Sequence, residues 1–162
     1  IKNGFKHFAG VKRRFTKVCE YNGAEIIDDY AHHPVEIKAT LATAKSIAEK
    51  RKSRVIAIFQ PHRYSRVKDL FHDFTTCFSD SDKLYILDIY GAGEMPIDGI
   101  TSRDLINEMV KLGARPEFIE NHEDISEIIK SDANSGDLIV MMGAGSISSW
   151  AWQLPDKFAN KS

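Results

Sequence analysis

A doubly wound, mostly parallel α/β sheet with helices on both faces is the fold this sequence predicts. Three observations carry that expectation. Short apolar, β-rich runs recur at 54–59, 83–89 and 137–142. Between them lie segments of roughly 10–17 residues whose apolar positions recur at helical spacing. The runs end in loops rich in glycine, proline or charge, and an α/β sheet binds its ligands outside the carboxyl ends of its strands.

Taken in order, residues 1–15 are basic and aromatic (Phe5, Lys6, Phe8, Lys12, Arg13, Arg14, Phe15) and read as a connector. Segments 16–21 and 24–28 form a hairpin around Asn22-Gly23, a strong two-residue turn signal. A helix runs from Pro34 to about Arg51, because proline at a first helical position loses no hydrogen bond, and Ile37, Leu41, Ala44 and Ala48 then fall on one face. Strand 54–59 leads to one helix near 66–78, with Leu70, Phe71, Phe74 and Phe78 on its apolar side. Strand 83–89 ends in the turn-rich loop 90–96. Thr101 or Ser102 caps a helix to about Leu112, which Gly113 stops. A short strand at 116–119, a helix near 123–131 and strand 137–142 complete the alternation, and Gly143 to Ser146 opens a last helix packed through Trp150, Trp152, Leu154 and Phe158.

At 162 residues, 43% of them apolar and 28% charged, the chain is long enough for one domain with a real core. A formal net charge of −1 argues against a general nucleic-acid binder, whose affinity needs a basic face. No apolar run approaches the roughly 20 residues of a membrane span. The first residues do not read as a signal peptide, and the missing initiator Met makes a fragment of a longer protein the expectation. Cys19 and Cys77, far apart and without metal-ligand spacing, read as buried, reduced thiols of a cytoplasmic protein.

The most informative stretch is Phe59-Gln60-Pro61-His62-Arg63-Tyr64-Ser65-Arg66. It puts two guanidinium groups, a histidine and a tyrosine at the end of an apolar strand. Arginine matches the oxygens of a planar carboxylate or phosphate with paired donors, so the local reading is a small-anion site. Asp28-Asp29-Tyr30-Ala31-His32-His33-Pro34 lies between a strand and a helix N-terminus, where free backbone N–H groups favour anions. There Asp29 can accept from ribose hydroxyls and His32 can orient a substrate; the plainer alternative for the acids is helix capping. A zinc site at His32 and His33 is disfavoured, since neighbouring histidines do not easily share one tetrahedral ion. Gly143-x-Gly145 lets backbone N–H groups approach a phosphate or carboxylate, or serves only as a tight turn. The same holds for Gly91-x-Gly93-Glu94. There is no P-loop.

Together with Gly10-Val11-Lys12-Arg13-Arg14-Phe15 and Gly91-Ala92-Gly93-Glu94-Met95-Pro96-Ile97, these motifs resemble, in order and over essentially the whole chain, the carboxyl-terminal domain of the Mur ligase family. The His-Arg-Tyr-Ser-Arg block is closest to the members that add L-alanine to UDP-N-acetylmuramate in peptidoglycan precursor synthesis; related murein tripeptide ligases share the Asp-Asp-x-x-His-His-Pro type of motif but differ at this block. The resemblance implies a Rossmann-like domain at 16–162, preceded by a connector at 1–15 from a central ATPase domain absent here, as is the UDP-sugar domain. It implies a cytoplasmic, ATP- and Mg2+-dependent ligase: ATP phosphorylates the UDP-N-acetylmuramate carboxylate and the amine of L-alanine attacks the acyl phosphate. In this chain it implies Arg14 and Asp29 at the ATP, and Tyr30, His32, His62, Arg63 and Arg66 around L-alanine. The arginines would hold the carboxylate, while His32, His62 and Tyr30 orient the amine. Tyr90, Glu94, Gly143 and Gly145 would line the pocket. No metal ligand is expected in this fragment, nor autonomous catalysis. A free-standing nucleotide or amino-acid binding module, or a related murein tripeptide ligase domain, is the contrasting expectation.

Overall fold

The computed structural model describes residues 13–160. The expected connector lies outside the described residues up to Lys12. A six-stranded sheet in the order β1-β2-β6-β3-β4-β5 forms the middle layer. Its strands are β1 (Thr16–Tyr21), β2 (Ala24–Asp29), β3 (Val55–Phe59), β4 (Lys83–Leu87), β5 (Glu117–Ile119) and β6 (Leu138–Met142). Only the β1–β2 hairpin is antiparallel; β2, β6, β3, β4 and β5 pair in parallel. Asn22 and Gly23 take positive φ values of 49° and 85°, the conformation a tight two-residue hairpin turn requires. The central strands β3 and β6 are buried at every position, which is why they read as unbroken apolar runs rather than alternating ones.

Helices α1 (Pro34–Arg51), α2 (Tyr64–Asp69), α3 (Phe71–Thr76) and α4 (Ser102–Lys111) contribute Ile37, Leu41, Val67, Phe74, Leu105 and Met109 to the core on one face. Helices α5 (Ile125–Asp132) and α6 (Ile147–Ala159) cover the other with Ile125, Ile129, Ile147, Ala151 and Leu154. The chain leaves β3 toward the first face and β6 toward the second, so the topological switch lies between these neighbouring strands. Their carboxyl ends are where such a sheet places its ligand.

Three expected elements differ in detail. The helix near 66–78 is two short helices broken at Leu70 (φ −116°, ψ 23°), beginning at Tyr64 and ending at Thr76. Apolar spacing runs unbroken through Val67, Leu70, Phe71 and Phe74, so periodicity does not mark the break. The strand expected at 83–89 ends at Leu87, whose carbonyl accepts from the Ser102 hydroxyl at 2.6 Å; pairing resumes only as an isolated bridge between His62 and Tyr90. The helix near 123–131 is a 3₁₀ turn, His122–Asp124, followed by α5. Thr101 rather than Ser102 caps α4, in a reciprocal capping box with Asp104.

The amino end of the sheet is closed by charge. Arg54 donates to Asp137 through its backbone N (3.0 Å), Nε (3.2 Å) and Nη2 (2.8 Å), and Asn134 N adds a further bond at 2.8 Å. Cys77 is buried and its thiol is pushed up to about 12 by that burial. Cys19 is only half-buried, on the outer strand, and burial raises it to about 11. Both are free thiols, poorly disposed to ionise.

Candidate functional site

The carboxyl ends of β2, β3 and β6 bring three loops together. Arg63 sits at the start of α2 with φ 72° and ψ 130°, a conformation that costs a non-glycine residue on the order of 1–3 kcal/mol. It is held there by Arg63 N donating to Tyr90 O (2.8 Å) and Val67 N donating to Arg63 O (3.2 Å), while Tyr90 N donates to Pro61 O (2.8 Å). Strain of this kind persists where surrounding structure enforces it, and here it projects an exposed guanidinium from the strand end. Arg66, one helical turn on, donates from Nη1 both to His62 O and to His62 Nδ1, each at 3.1 Å.

Four rings link the loops. Tyr30 and His32 meet edge to face with centroids 4.9 Å apart; His32 meets His62 at 5.9 Å; His62 stacks on Tyr90 at 5.6 Å with planes 14° apart. His32 Nδ1 lies 2.9 Å from its own loop's Tyr30 O and 3.5 Å from Glu36 Oε2. The structure therefore gathers Tyr30, His32, His62, Arg66 and Tyr90 into one surface, with Arg63 beside them.

Glu94 reaches this surface indirectly. Its carboxylate accepts from Ser65 N (3.0 Å) and from the Ser65 hydroxyl, capping the start of α2 from a loop 29 residues away. Those bonds, the hydroxyl first, hold Glu94 below its usual carboxylate range. Its observed part is to fix the segment that carries Arg63 and Arg66.

Asp29 and Arg14, expected to share the nucleotide, are placed differently. Arg14 is exposed. Asp29 is buried, with its carboxylate accepting from Phe15 N (2.7 Å), Ala31 N (2.8 Å) and Thr40 Oγ1 (3.1 Å). Neither acid caps α1; that part falls to His33, whose Nδ1 accepts from Val35 N. Asp28 faces the opposite layer, where Oδ2 accepts from Ser148 Oγ (2.6 Å) and Trp152 Nε1 (2.9 Å).

The Gly143-x-Gly145 turn is closely packed. A Cβ on Gly145 would stand 2.7 Å from the Tyr90 ring, and one on Gly143 would stand 2.7 Å from Ile147 and 2.9 Å from Gln60 O. Glycine at 145 thus leaves room for the Tyr90 ring that backs His62. A cavity of about 660 Å³ opens elsewhere, between α3, α4 and the amino ends of β4 and β5, lined by Thr75, Lys83, Met109 and Arg115 among others. It contains none of the residues just described, and the carboxyl-end position carries more weight than cavity size.

A family model described as the Mur ligase glutamate ligase domain matches residues 13–145. The chain belongs to the Mur ligase family. Proteins named UDP-N-acetylmuramate–L-alanine ligase from Rickettsia canadensis and Rickettsia felis are 61% and 59% identical over 99% of this chain. The chain spans 34% of the length of each. Among solved structures, UDP-N-acetylmuramate–alanine ligase from Thermotoga maritima shares the fold with TM-score 0.70 and 21% identity, over 96% of this chain and 36% of that one. A murein peptide ligase from Psychrobacter arcticus does so with TM-score 0.71 and 22% identity, over 93% and 31%. A separate domain from Haemophilus ducreyi, 19% identical with TM-score 0.63, matches over 90% of this chain and 99% of its own length.

Two residues of this Mur ligase domain escaped the sequence. Gln60 is 4% exposed and ties the two loops at the switch point: its Nε2 donates to Ser146 Oγ and its Oε1 accepts from Ile147 N, both at 3.0 Å. Arg13, read as part of the basic connector, donates from Nη2 to Gly143 O at 2.7 Å, and its guanidinium lies 4.8 Å over the Tyr30 ring. Position offered a signal for Gln60, the first residue beyond an apolar strand. Nothing local distinguishes Arg13 from Arg14.

His62 gives the site a pH signature. Burial, then the charge of Arg66, with smaller effects from His32 and Arg63, push it down from 6.5 to about 4. In the unfolded chain the ring protonates near 6.5, so between those values the unfolded state binds the extra proton. Stability from this group is whole above pH 6.5 and is lost as pH falls toward 4. Urea denaturation of the chain at pH 7 and pH 5 is expected to show a smaller acid loss for His62→Gln than for the parent. Equal losses would show that His62 is not the group that titrates.

Proposed function

We propose that this chain is the amino-acid-receiving domain of an ATP-dependent ligase that joins L-alanine to UDP-N-acetylmuramate through an acyl phosphate. The observation that carries the reading is the Arg63, Arg66 and four-ring surface at the sheet's carboxyl end, in a chain about 60% identical over nearly its whole length to ligases of that name. The fold does not choose among Mur ligases, since the murein peptide ligase matches it as well as the alanine ligase does. The sequence relatives favour alanine over a tripeptide.

In this reading Arg63 and Arg66 neutralise the alanine carboxylate, and the ring cluster sets the amine against the acyl carbon. The domain's contribution is positioning and charge neutralisation. Among the described residues no three His, Cys, Asp or Glu side chains converge as a metal site. We assign Mg2+ and the ATP phosphates chiefly to the central domain that the family resemblance implies, with Arg14 approaching the nucleotide at the junction and Asp29 its ribose. The connector at 1–15 would join the two domains. No described helix is long and apolar enough to cross a membrane, and a cytoplasmic setting accords with the soluble substrates.

The test is phosphate release from ATP by the full-length protein. Release should require UDP-N-acetylmuramate and L-alanine together, and the tripeptide should not replace alanine. A preference for the tripeptide, or release indifferent to alanine, would overturn the reading. The present chain should unfold cooperatively and release no phosphate under the same conditions; steady turnover by it would show that the catalytic machinery lies within this domain.

A further inference from the structure

The two histidines that meet at 5.9 Å make hydrogen bonds of opposite kind through Nδ1. His62 Nδ1 faces Arg66 Nη1 at 3.1 Å, and a guanidinium only donates, so this nitrogen carries the lone pair and the proton sits on Nε2. His32 Nδ1 faces the Tyr30 carbonyl at 2.9 Å, and a carbonyl only accepts, so this nitrogen carries the proton and Nε2 carries the lone pair. Neither Nε2 has a hydrogen-bond partner among the described residues.

We infer that the pair reads the two ends of an amino acid in opposite senses: His62 Nε2–H donates to its carboxylate, and His32 Nε2 takes a proton from its ammonium. The inference rests on the proposed ligase reading and deepens it, moving His62 from the amine to the carboxylate.

Elimination supports the division. Arg63 and Arg66 have no lone pair to offer, His62 presents a donor, and Glu94 is bound to Ser65. Glu36 accepts from His32 N and lies on the Nδ1 side of the ring, which leaves His32 Nε2 as the basic acceptor on the cluster's open side. Behind it, the Tyr30 carbonyl and the Glu36 carboxylate, 3.5 Å from Nδ1, stabilise the imidazolium formed when a proton arrives. The low proton affinity of His62, about 4, fits a ring that never serves as the base.

The step balances. One ammonium proton passes to His32 Nε2. The freed nitrogen lone pair forms the C–N bond to the acyl phosphate carbon. The C–O bond to phosphate breaks, its electron pair leaves on phosphate, and a second nitrogen proton follows to the departing phosphate.

Long-range ¹H–¹⁵N correlation spectra of this chain near neutral pH test the tautomers directly. His62 should show protonated Nε2 and bare Nδ1, and His32 the reverse; the same tautomer on both rings would overturn the inference. Kinetics of the full-length protein test the roles, since a glutamine amide falls near the imidazole Nε2 and an asparagine amide near Nδ1. His62→Asn should raise the alanine KM about tenfold or more with kcat retained, and His62→Gln, which restores a donor near the Nε2 position, should recover a large part of that loss. His32→Gln should keep KM and lower kcat by about 100-fold or more, because an amide oxygen accepts a hydrogen bond but takes no proton. The deficit should narrow with 3-fluoro-L-alanine, whose ammonium is more acidic. A KM effect at His32, or a kcat effect at His62→Asn, would overturn the assignment. Absence of alanine-dependent turnover in the parent enzyme would instead overturn the ligase reading, with the tautomers still decided by the spectra.

Discussion

Replacing Arg63 by alanine in the full-length protein is expected to lower kcat/KM for L-alanine by roughly 30- to 1,000-fold, about 2–4 kcal/mol, while leaving the ATP term near its parent value. The guanidinium is exposed in the domain by itself, and an ordinary surface cation would be worth less than about 1 kcal/mol. What sets Arg63 apart is its backbone, held at φ 72° by the bond to Tyr90 O. That strain allows a clean separation of binding from folding. Arg63→Gly should lose alanine as badly as Arg63→Ala, yet glycine adopts positive φ without penalty and should leave the domain at least as stable as the parent. Arg63→Lys should recover only part of the loss, since an ammonium lacks the planar two-point contact.

Arg66→Ala is expected to cost a similar amount for a different reason. Arg66 also supplies the donor to His62 Nδ1, so its removal frees that nitrogen to take a proton and disturbs the ring stacked on Tyr90. Steady-state kinetics with alanine varied and other substrates saturating, beside urea denaturation of each variant, check both arginines. If both alanine variants retain near-parent kcat/KM for alanine, the amino acid binds elsewhere.

How much of this was legible depended on where the determining contacts lie. The strands were legible because Val55–Phe59 and Leu138–Met142 are buried throughout and must be apolar throughout. The hairpin was legible because Asn22-Gly23 states its own turn geometry. The place of His62, Arg63 and Arg66 at the sheet's carboxyl edge was legible because the apolar strand before them ends at Phe59. What was hidden depends on distant partners. Glu94 read as a pocket residue and is found capping the segment that begins at Tyr64. Arg13 read as part of the connector and is bonded to Gly143, 130 residues away. Gln60 joins Ile147 across 87 residues. His122, without context in the sequence, stacks on Trp150 at 4.2 Å. The insertion of β6 between β2 and β3, which creates the switch point, also leaves no mark in any local pattern.

Asp29 sits where the two levels of reading meet, and its replacement by asparagine is expected to produce two separable losses. The first is structural. Asparagine keeps one oxygen for Ala31 N or Thr40 but turns an amide donor toward Phe15 N, leaving a buried donor opposed by another. That costs about 1–3 kcal/mol. For a domain of this size it corresponds to roughly 2–4 °C of Tm per kcal/mol, measurable on the present chain without any nucleotide. The second concerns ATP. A carboxylate offers about four acceptor positions and three are used here, so one lone pair remains for a ribose hydroxyl in the assembled enzyme. Losing that charged acceptor should raise the apparent KM for ATP about tenfold or more in the full-length protein, with alanine saturating. Thr40→Ala provides the control, since it removes one inner partner of Asp29 and leaves the charge in place. It should lower Tm and spare ATP. A lowered Tm together with an unchanged ATP response in Asp29→Asn would assign Asp29 wholly to the framework, binding the entry of the chain at Phe15 to the loop that carries Tyr30 and His32.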